Sequence, residues 1–373
     1  MRRNASKILR ERNGFLSPLL NRHFVTDEEV SPPAQWIDPT VFLFSPNRMA
    51  LCNICPRSCA IEEGQLGFCG IRTCRNGSIV LLSYGRTTGL AVDPIEKKPL
   101  NHFYPGSQVL SFGSIGCNFN CRFCQNWTTA RSRDLSLLQT AATPEQIVEQ
   151  AQRFQCRSVA FTYNEPVIWL EYALDVARLC RRAGIKTVAV SNGFISEEKR
   201  EEFFDLMDAA NIDLKSFSGE FYSTYCQSRL EPVLETLRYL ARRSRTWLEV
   251  TTLLIPTLND SATELELLSQ WLVHNLGVET PIHFSAFHPA YRMTMLSPTP
   301  VQTLFLAREI AISAGLRFVY TGNIDDPAGQ TTYCPQCRQA VISRQRYRVD
   351  EYNIDNESCC RFCGQTIAGQ FDE

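Results

Sequence analysis

Three cysteines stand together in the stretch Gly113-Ser-Ile-Gly-Cys117-Asn-Phe-Asn-Cys121-Arg-Phe-Cys124-Gln-Asn126, at C-x3-C-x2-C spacing and directly after the apolar run 109–112. Thiolates at this spacing on one loop can converge on a single cluster of iron and sulfide. A [4Fe–4S] cube has four irons, so three thiolates leave one iron open to a ligand that is not protein. A two-residue gap is the common clip for zinc, but the three-residue gap beside it is unusual for that ion. Phe123, just before the last cysteine, sharpens the pattern. The competing reading is a loop of free cysteines or a partial zinc site.

Such a loop needs a scaffold. Apolar, β-branched runs occur at 109–115, 158–163, 186–190, 211–214, 247–254, 282–287 and 316–320. Segments of helical length and period separate them. Thr143-Pro-Glu-Gln146 and Ser261-Ala-Thr-Glu264 read as capping boxes, and Ser196 precedes Glu197 and Glu198 as a further helix start. Strands alternating with helices predict βα units and a parallel sheet. Six units and a seventh strand are too few for a closed eightfold barrel, so the expected fold is α/β, a partial (β/α)6-type barrel. Right-handed crossovers would put every strand's C-terminal end on one rim. Polar residues do follow each strand: Asn164 and Glu165, Ser191 and Asn192, Asp213 and Lys215, Asn259 and Asp260, His288, and Asn323. Taken singly, each is ordinary turn chemistry.

The cysteine loop resembles the signature of the radical S-adenosylmethionine (SAM) enzymes. The rim is similar to that of their pyruvate formate-lyase-activating branch. The fuller resemblance, over about residues 51–365, is to the radical SAM member of the AmmeMemoRadiSam system. It is carried by Cys52-Asn-Ile-Cys55-Pro-Arg-Ser-Cys59, Asp93-Pro-Ile-Glu-Lys-Lys-Pro-Leu100, the 116–126 loop, Phe161-Thr-Tyr-Asn-Glu-Pro166 and His283-Phe-Ser-Ala-Phe-His-Pro-Ala-Tyr-Arg-Met293. The resemblance implies a [4Fe–4S] cluster on Cys117, Cys121 and Cys124, with SAM chelated at the open iron. Glu165 and Asn164 would meet the SAM amine, although relatives usually have Gly-Gly-Glu where this chain has Tyr163-Asn164-Glu165. Ser191 and Asn192 would contact the ribose, and Asp213, Lys215 and His288 would frame SAM or the reacting centre. One electron from a donor such as flavodoxin or ferredoxin would cleave SAM to methionine and a 5′-deoxyadenosyl radical, which abstracts hydrogen from a small molecule or a protein. An activase that abstracts hydrogen from a glycine of a partner enzyme is the near alternative. A metal-binding redox or interaction module without SAM cleavage is the distant one.

Sixteen cysteines is a high count for 373 residues, and most of the others fall into two further groups. Cys334, Cys337, Cys360 and Cys363 form two C-x2-C knuckles, close to a zinc-ribbon template around a small hairpin, with Cys359 able to replace Cys360. An auxiliary iron–sulfur cluster is the second reading there. Cys52, Cys55, Cys59 and Cys69 could hold zinc or a second cluster. Cys74 has no evident partner, and Cys156, Cys180 and Cys226 read as isolated inert thiols. Clustered thiols without a secretory signal point to metal sites in the cytoplasm and not to disulfides. A net charge of −1 and the absence of a long apolar run give no reason to expect nucleic acid or a membrane as partner.

The expected organisation is an extension over 1–50, partly disordered with a short helix near 6–11, and a Cys-rich segment over 51–108. The radical SAM partial barrel follows over 109–328, with a zinc-ribbon-like domain over 329–373. The first 24 residues carry six basic side chains against Glu11 and read as a solvated basic tail. The charged run 93–100 is either a proline-bounded loop packed under the barrel or a contact to substrate.

Overall fold

The computed structural model describes residues 49–371. The helix expected near 6–11 and nearly all of the extension lie outside the described residues.

The centre is one eight-stranded sheet. Its strands are β1 (Leu90–Pro94), β2 (Gln108–Phe112), β3 (Ser158–Phe161), β4 (Lys186–Ser191), β5 (Ala209–Asp213), β6 (Trp247–Leu254), β7 (Ile282–Ala286) and β8 (Val319–Gly322). They lie side by side in chain order, β2 to β8 parallel and β1 antiparallel to β2. The crossover helices are α1 (Pro144–Arg153), α2 (Leu170–Arg182), α3 (Glu197–Phe204), α4 (Glu231–Arg242), α5 (Ala262–Leu276) and α6 (Val301–Ser313). Six βα units and a seventh parallel strand are therefore present. β1 and β8 are the two ends of the sheet, so it is open. Strands such as β3, buried along their whole length, are continuous apolar runs because helices cover the sheet.

β1 was not expected, because Asp93-Pro94 argues against a strand. Pro94 is tolerated there because it ends an edge strand, where its missing N–H is not needed by a second neighbour. Asp93 is buried and its carboxylate meets Lys97 at 2.6 Å, Lys98 at 2.8 Å and the Tyr163 hydroxyl at 2.9 Å. Burial works against its charge, but the two ammonium groups hold it well below the usual carboxylate range. The run 93–100 is thus internal scaffolding at its start, while Glu96 and Lys97 reach a cavity described below.

Two of the helix starts are diverted by tertiary contacts. Thr143 makes the full capping box with Gln146. Ser261 accepts from Glu264 N–H, but the Glu264 carboxylate turns to Ser216 and Phe217 N–H after β5. Ser196 makes no cap of its own and donates to the carbonyl of Asn53 instead, which pins the Cys-rich segment to the rim.

That segment is two hairpins, Met49–Cys52 with Cys59–Glu62 and Arg72–Arg75 with Ser78–Leu81. At the other end, Thr332–Tyr333, Ala340–Gln345 and Arg348–Tyr352 form a three-stranded antiparallel sheet that contains the expected hairpin. Its Arg344 is fully buried and donates to the carbonyl of Asn101, the hydroxyl of Thr332 and the carboxylate of Glu96. Further on, Gln370 exchanges backbone hydrogen bonds with His102 and Tyr104. The end of the chain is therefore sewn to the segment that follows β1.

Candidate functional site

Register sets the rim. Phe112 pairs with Phe161, and Phe161 with Ala189, so the loops after β2, β3 and β4 leave the sheet side by side. Gly113 passes so close to the carbonyl of Thr162 that a Cβ would lie 2.3 Å from it. Tyr163 takes φ 69°, the left-handed backbone that glycine adopts freely and other residues seldom do.

Asn164 grips the cysteine loop. Its carbonyl oxygen accepts from Ser114 N–H at 2.9 Å, and its amide donates to the carbonyls of Ile115 and Gly116 at 3.1 and 3.0 Å. Glu165 ties the next two loops together. It accepts from Val167 N–H (3.1 Å), the Ser191 hydroxyl (2.7 Å) and Asn192 N–H (2.8 Å). Burial pushes its carboxyl up to about 7 against those three donors. One lone-pair direction of the carboxylate remains for an ammonium group. Asn192 in turn donates to Asn118 at 2.8 Å and lies 3.9 Å from the Cys117 sulfur. Asp213 and Lys215 pair at 2.9 Å after β5. Burial disfavours the Lys215 charge, yet Asp213 together with Cys121 and Cys226 raises its pKa well above the ordinary value.

Burial pushes the Cys124 thiol up to about 11 and Cys117 well above its ordinary range. Cys121 is raised likewise, first by its hydrogen bond with Cys226 and then by burial. Cys226 is therefore not the isolated thiol expected from its sequence context. It ends a π-helical turn, Tyr222–Cys226, whose carbonyls accept from Asn120 and Arg122 N–H and so back the loop. A metal that bound these sulfurs would displace their protons to solvent.

The donor set fits an iron–sulfur cluster. The three sulfurs do not gather within 4.8 Å of one another, whereas Cys334, Cys337, Cys360 and Cys363 do. Thiolates on separate irons stand further apart than thiolates on one ion. Cys117 and Cys124 also receive N–H bonds from the residue two positions on, Phe119 and Asn126. The C-terminal four show the complementary case. Cys334 and Cys363 lie 3.6 Å apart and Cys337 and Cys360 3.7 Å apart. A tetrahedron with metal–sulfur bonds of about 2.3 Å has edges of about 3.8 Å. Cys359 faces Thr366 and Glu357 instead, which resolves that ambiguity for Cys360. Cys74 lies 3.7 Å from Glu63.

A cavity of about 450 Å³ opens beside Gln125, the residue after Cys124. His288 and Asn323 line it from the ends of β7 and β8, Glu96 and Lys97 from the segment after β1, and Arg344 and Arg346 from the C-terminal hairpin. Thr251 Oγ1 and Glu96 Oε2, on residues of its wall, are buried without a hydrogen-bond partner. His288 and Asn323 are rim residues of the sequence reading, and Glu96 and Lys97 belong to its charged run; Thr251, Arg344 and Arg346 escaped it, because distant segments supply them. Asn118 was also missed, although its place inside the C-x3-C gap is a signal.

Comparison with known proteins places these features in a class. A radical SAM superfamily profile matches residues 113–267, from the cysteine loop into the start of α5. The "uncharacterized protein MJ0808" of Methanocaldococcus jannaschii is 43% identical over 317 residues, 85% of this chain and 94% of that protein. The chain belongs to the family of this archaeal protein, and its residues 113–267 carry a radical SAM domain. The pyruvate formate-lyase 1-activating enzyme of Escherichia coli is 24% identical over 153 residues, 39% of this chain and 60% of that enzyme. A domain of a pyruvate-formate lyase-activating enzyme from Bacteroides vulgatus superposes with a TM-score of 0.40 at 20% identity, over 44% of this chain and 99% of that one. The superfamily implies a [4Fe–4S] cluster and SAM.

Among the described residues no helix is long and apolar enough to cross a membrane.

Proposed function

We propose that the protein is a radical SAM enzyme that takes hydrogen from a small polar molecule held in the cavity beside Gln125, and that it is the radical SAM member of the AmmeMemoRadiSam system. When bound, the cluster supplies the electron that splits SAM into methionine and a 5′-deoxyadenosyl radical. The chain's own part is positioning. Cys117, Cys121 and Cys124 would hold three irons, and Glu165 offers an acceptor beside them. Lys215, neutralised by Asp213, is suited to fix a carboxylate or a ribose oxygen. The cavity supports a small substrate: its volume suits one, and buried Thr251 and Glu96 atoms lack partners that an occupant would supply. The activase reading rests on likeness to the activating enzymes alone.

The test is 5′-deoxyadenosine formation by anaerobically reconstituted, dithionite-reduced protein, with Cys121→Ala as control. Product from wild type only, increased by a low-molecular-mass extract, is expected. Stimulation by the protein fraction alone would favour the activase, and product from Cys121→Ala would remove the radical SAM reading.

A further inference from the structure

We propose that Cys52, Cys55, Cys59 and Cys69 hold a second iron–sulfur cluster, set directly against the loop of Cys117, Cys121 and Cys124. The fold brings the four thiols to one place. Cys52 and Cys59 face each other in the first hairpin's register, and Cys55 sits in its turn, where its carbonyl accepts from Ser58 N–H at 3.1 Å. Cys69 arrives from the tight turn 67–70. The four line one small, mainly apolar cavity together with Arg57 and Arg72.

Three observations point to a metal centre there, and the first of them to a polynuclear one. The first is sulfur spacing. The C-terminal four cysteines are drawn into a single-ion tetrahedron, and among the described residues no other three such ligand atoms lie within 4.8 Å of one another. Four thiols around one cavity, not drawn together as the C-terminal four are, suit a polynuclear centre in which each addresses its own iron. The second is the amide pattern. Cys55 receives an N–H bond from Arg57 and Cys69 from Ile71, two residues on in each case. Cys117 and Cys124 receive the same bond from Phe119 and Asn126, and Cys334 and Cys337 from Gln336 and Gln339. N–H groups aimed at sulfur stabilise the thiolate that a metal requires. Cys156 instead donates to the carbonyl of Phe154. The third is charge. A cube bound by four thiolates is anionic, and two guanidinium groups stand at its edge. Arg72 is held by Glu171 and the carbonyl of Ile168. Arg57 donates to the carbonyls of Asn118 and Gln227.

Those last contacts also define the neighbourhood. Asn118 follows Cys117, Gln227 follows Cys226, and Gly116 packs on the carbonyl of Cys69. The second centre therefore abuts the first across one layer of backbone. It does not depend on what the loop cluster does, so the two readings fail separately.

The experiment uses the full chain with Cys117, Cys121 and Cys124 all changed to Ala, reconstituted anaerobically with iron and sulfide. About four irons and about four sulfides per chain are expected, with a dithionite-reduced paramagnetic signal. Wild type should hold about eight irons and show broadening from coupling of two neighbouring reduced clusters. Cys55→Ser/Cys69→Ser in an otherwise intact chain should halve the iron, sharpen that signal and leave the C-terminal metal in place as evidence of folding. The proposal is overturned if the triple variant takes up a second zinc, beyond the C-terminal one, in place of iron. It is equally overturned if Cys55→Ser/Cys69→Ser leaves the iron content of the chain unchanged.

Discussion

Gly116 and Cys69 are in backbone contact: at φ 80°, a Cβ on Gly116 would stand 2.1 Å from the Cys69 carbonyl oxygen. No flexible side-chain end lies between them to give way, so the cysteine loop and the N-terminal cysteine segment fit together only through this glycine. Gly116→Ala should therefore part the two segments and strain the left-handed residue. A loss on the order of 2–3 kcal/mol in stability is expected, with a drop in iron retained after reconstitution. Unchanged iron content and an unchanged denaturation midpoint would refute it.

Glu165 accepts from donors on both of its oxygens. Glu165→Gln must turn an NH2 group toward one of those donors, leaving a buried pair of donors face to face. About 1–3 kcal/mol of stability should go, and 5′-deoxyadenosine formation should fall at least about tenfold. Glu165→Asp, which keeps the charge but shortens the reach, should retain more SAM binding than the glutamine variant. Equal binding by all three proteins, measured by calorimetry, would show that the carboxylate serves the fold alone.

The C-terminal thiols predict one zinc per chain, resistant to gel filtration. Cys337→Ser or prolonged chelation should destabilise the protein by at least about 3 kcal/mol, a fraction of the roughly 10–16 kcal/mol that structural zinc sites provide. Because Arg344 and Gln370 join this end of the chain to the segment after β1, the loss should also loosen the wall of the cavity. Hydrogen exchange at residues 96–104 would report it.

His102 is buried, with Nδ1 at the carbonyl of Ala368 and Nε2 at the hydroxyl of Tyr320. The carbonyl can only accept, so Nδ1 carries the proton, Nε2 accepts from Tyr320, and the ring is neutral. Burial lowers its pKa to about 4 from the ordinary 6.5. The unfolded chain therefore binds the extra proton first, and stability falls as pH drops from about 6.5 to about 4, by up to about 3 kcal/mol. His102→Gln should flatten that part of the pH–stability curve. A slope that survives the substitution would place its origin elsewhere.

Local sequence carried much of this. The alternation of apolar runs with capped helical segments fixes six βα units, because helix and strand periods are local properties of the chain. The spacing in 117–124 reads as a cluster loop, and the knuckles at 334–337 and 360–363 as a four-thiolate site. The C-terminal sulfurs do meet at single-ion distance. Strand ends were read less well: 109–115 stops at Phe112 and 158–163 at Phe161, because loop backbone after a strand can stay extended without pairing.

Other features required three dimensions. Cys226 looks solitary in sequence and lies beside Cys121, since only packing of the π-turn against the loop brings them together. Asn164 reads as a contact to the SAM amine, and its side chain is spent on three backbone groups of the cysteine loop. The cavity joins residues 96, 251, 288, 323 and 346, which no sequence window spans. The chain by itself thus determined its elements and its thiol clips, whose chemistry depends on neighbours a few residues apart. Tertiary structure alone decided which clip faces which, what fills the open side of the sheet, and which buried polar atoms remain for an occupant. Those are contacts between segments from tens to more than two hundred residues apart, fixed only when the whole core closes.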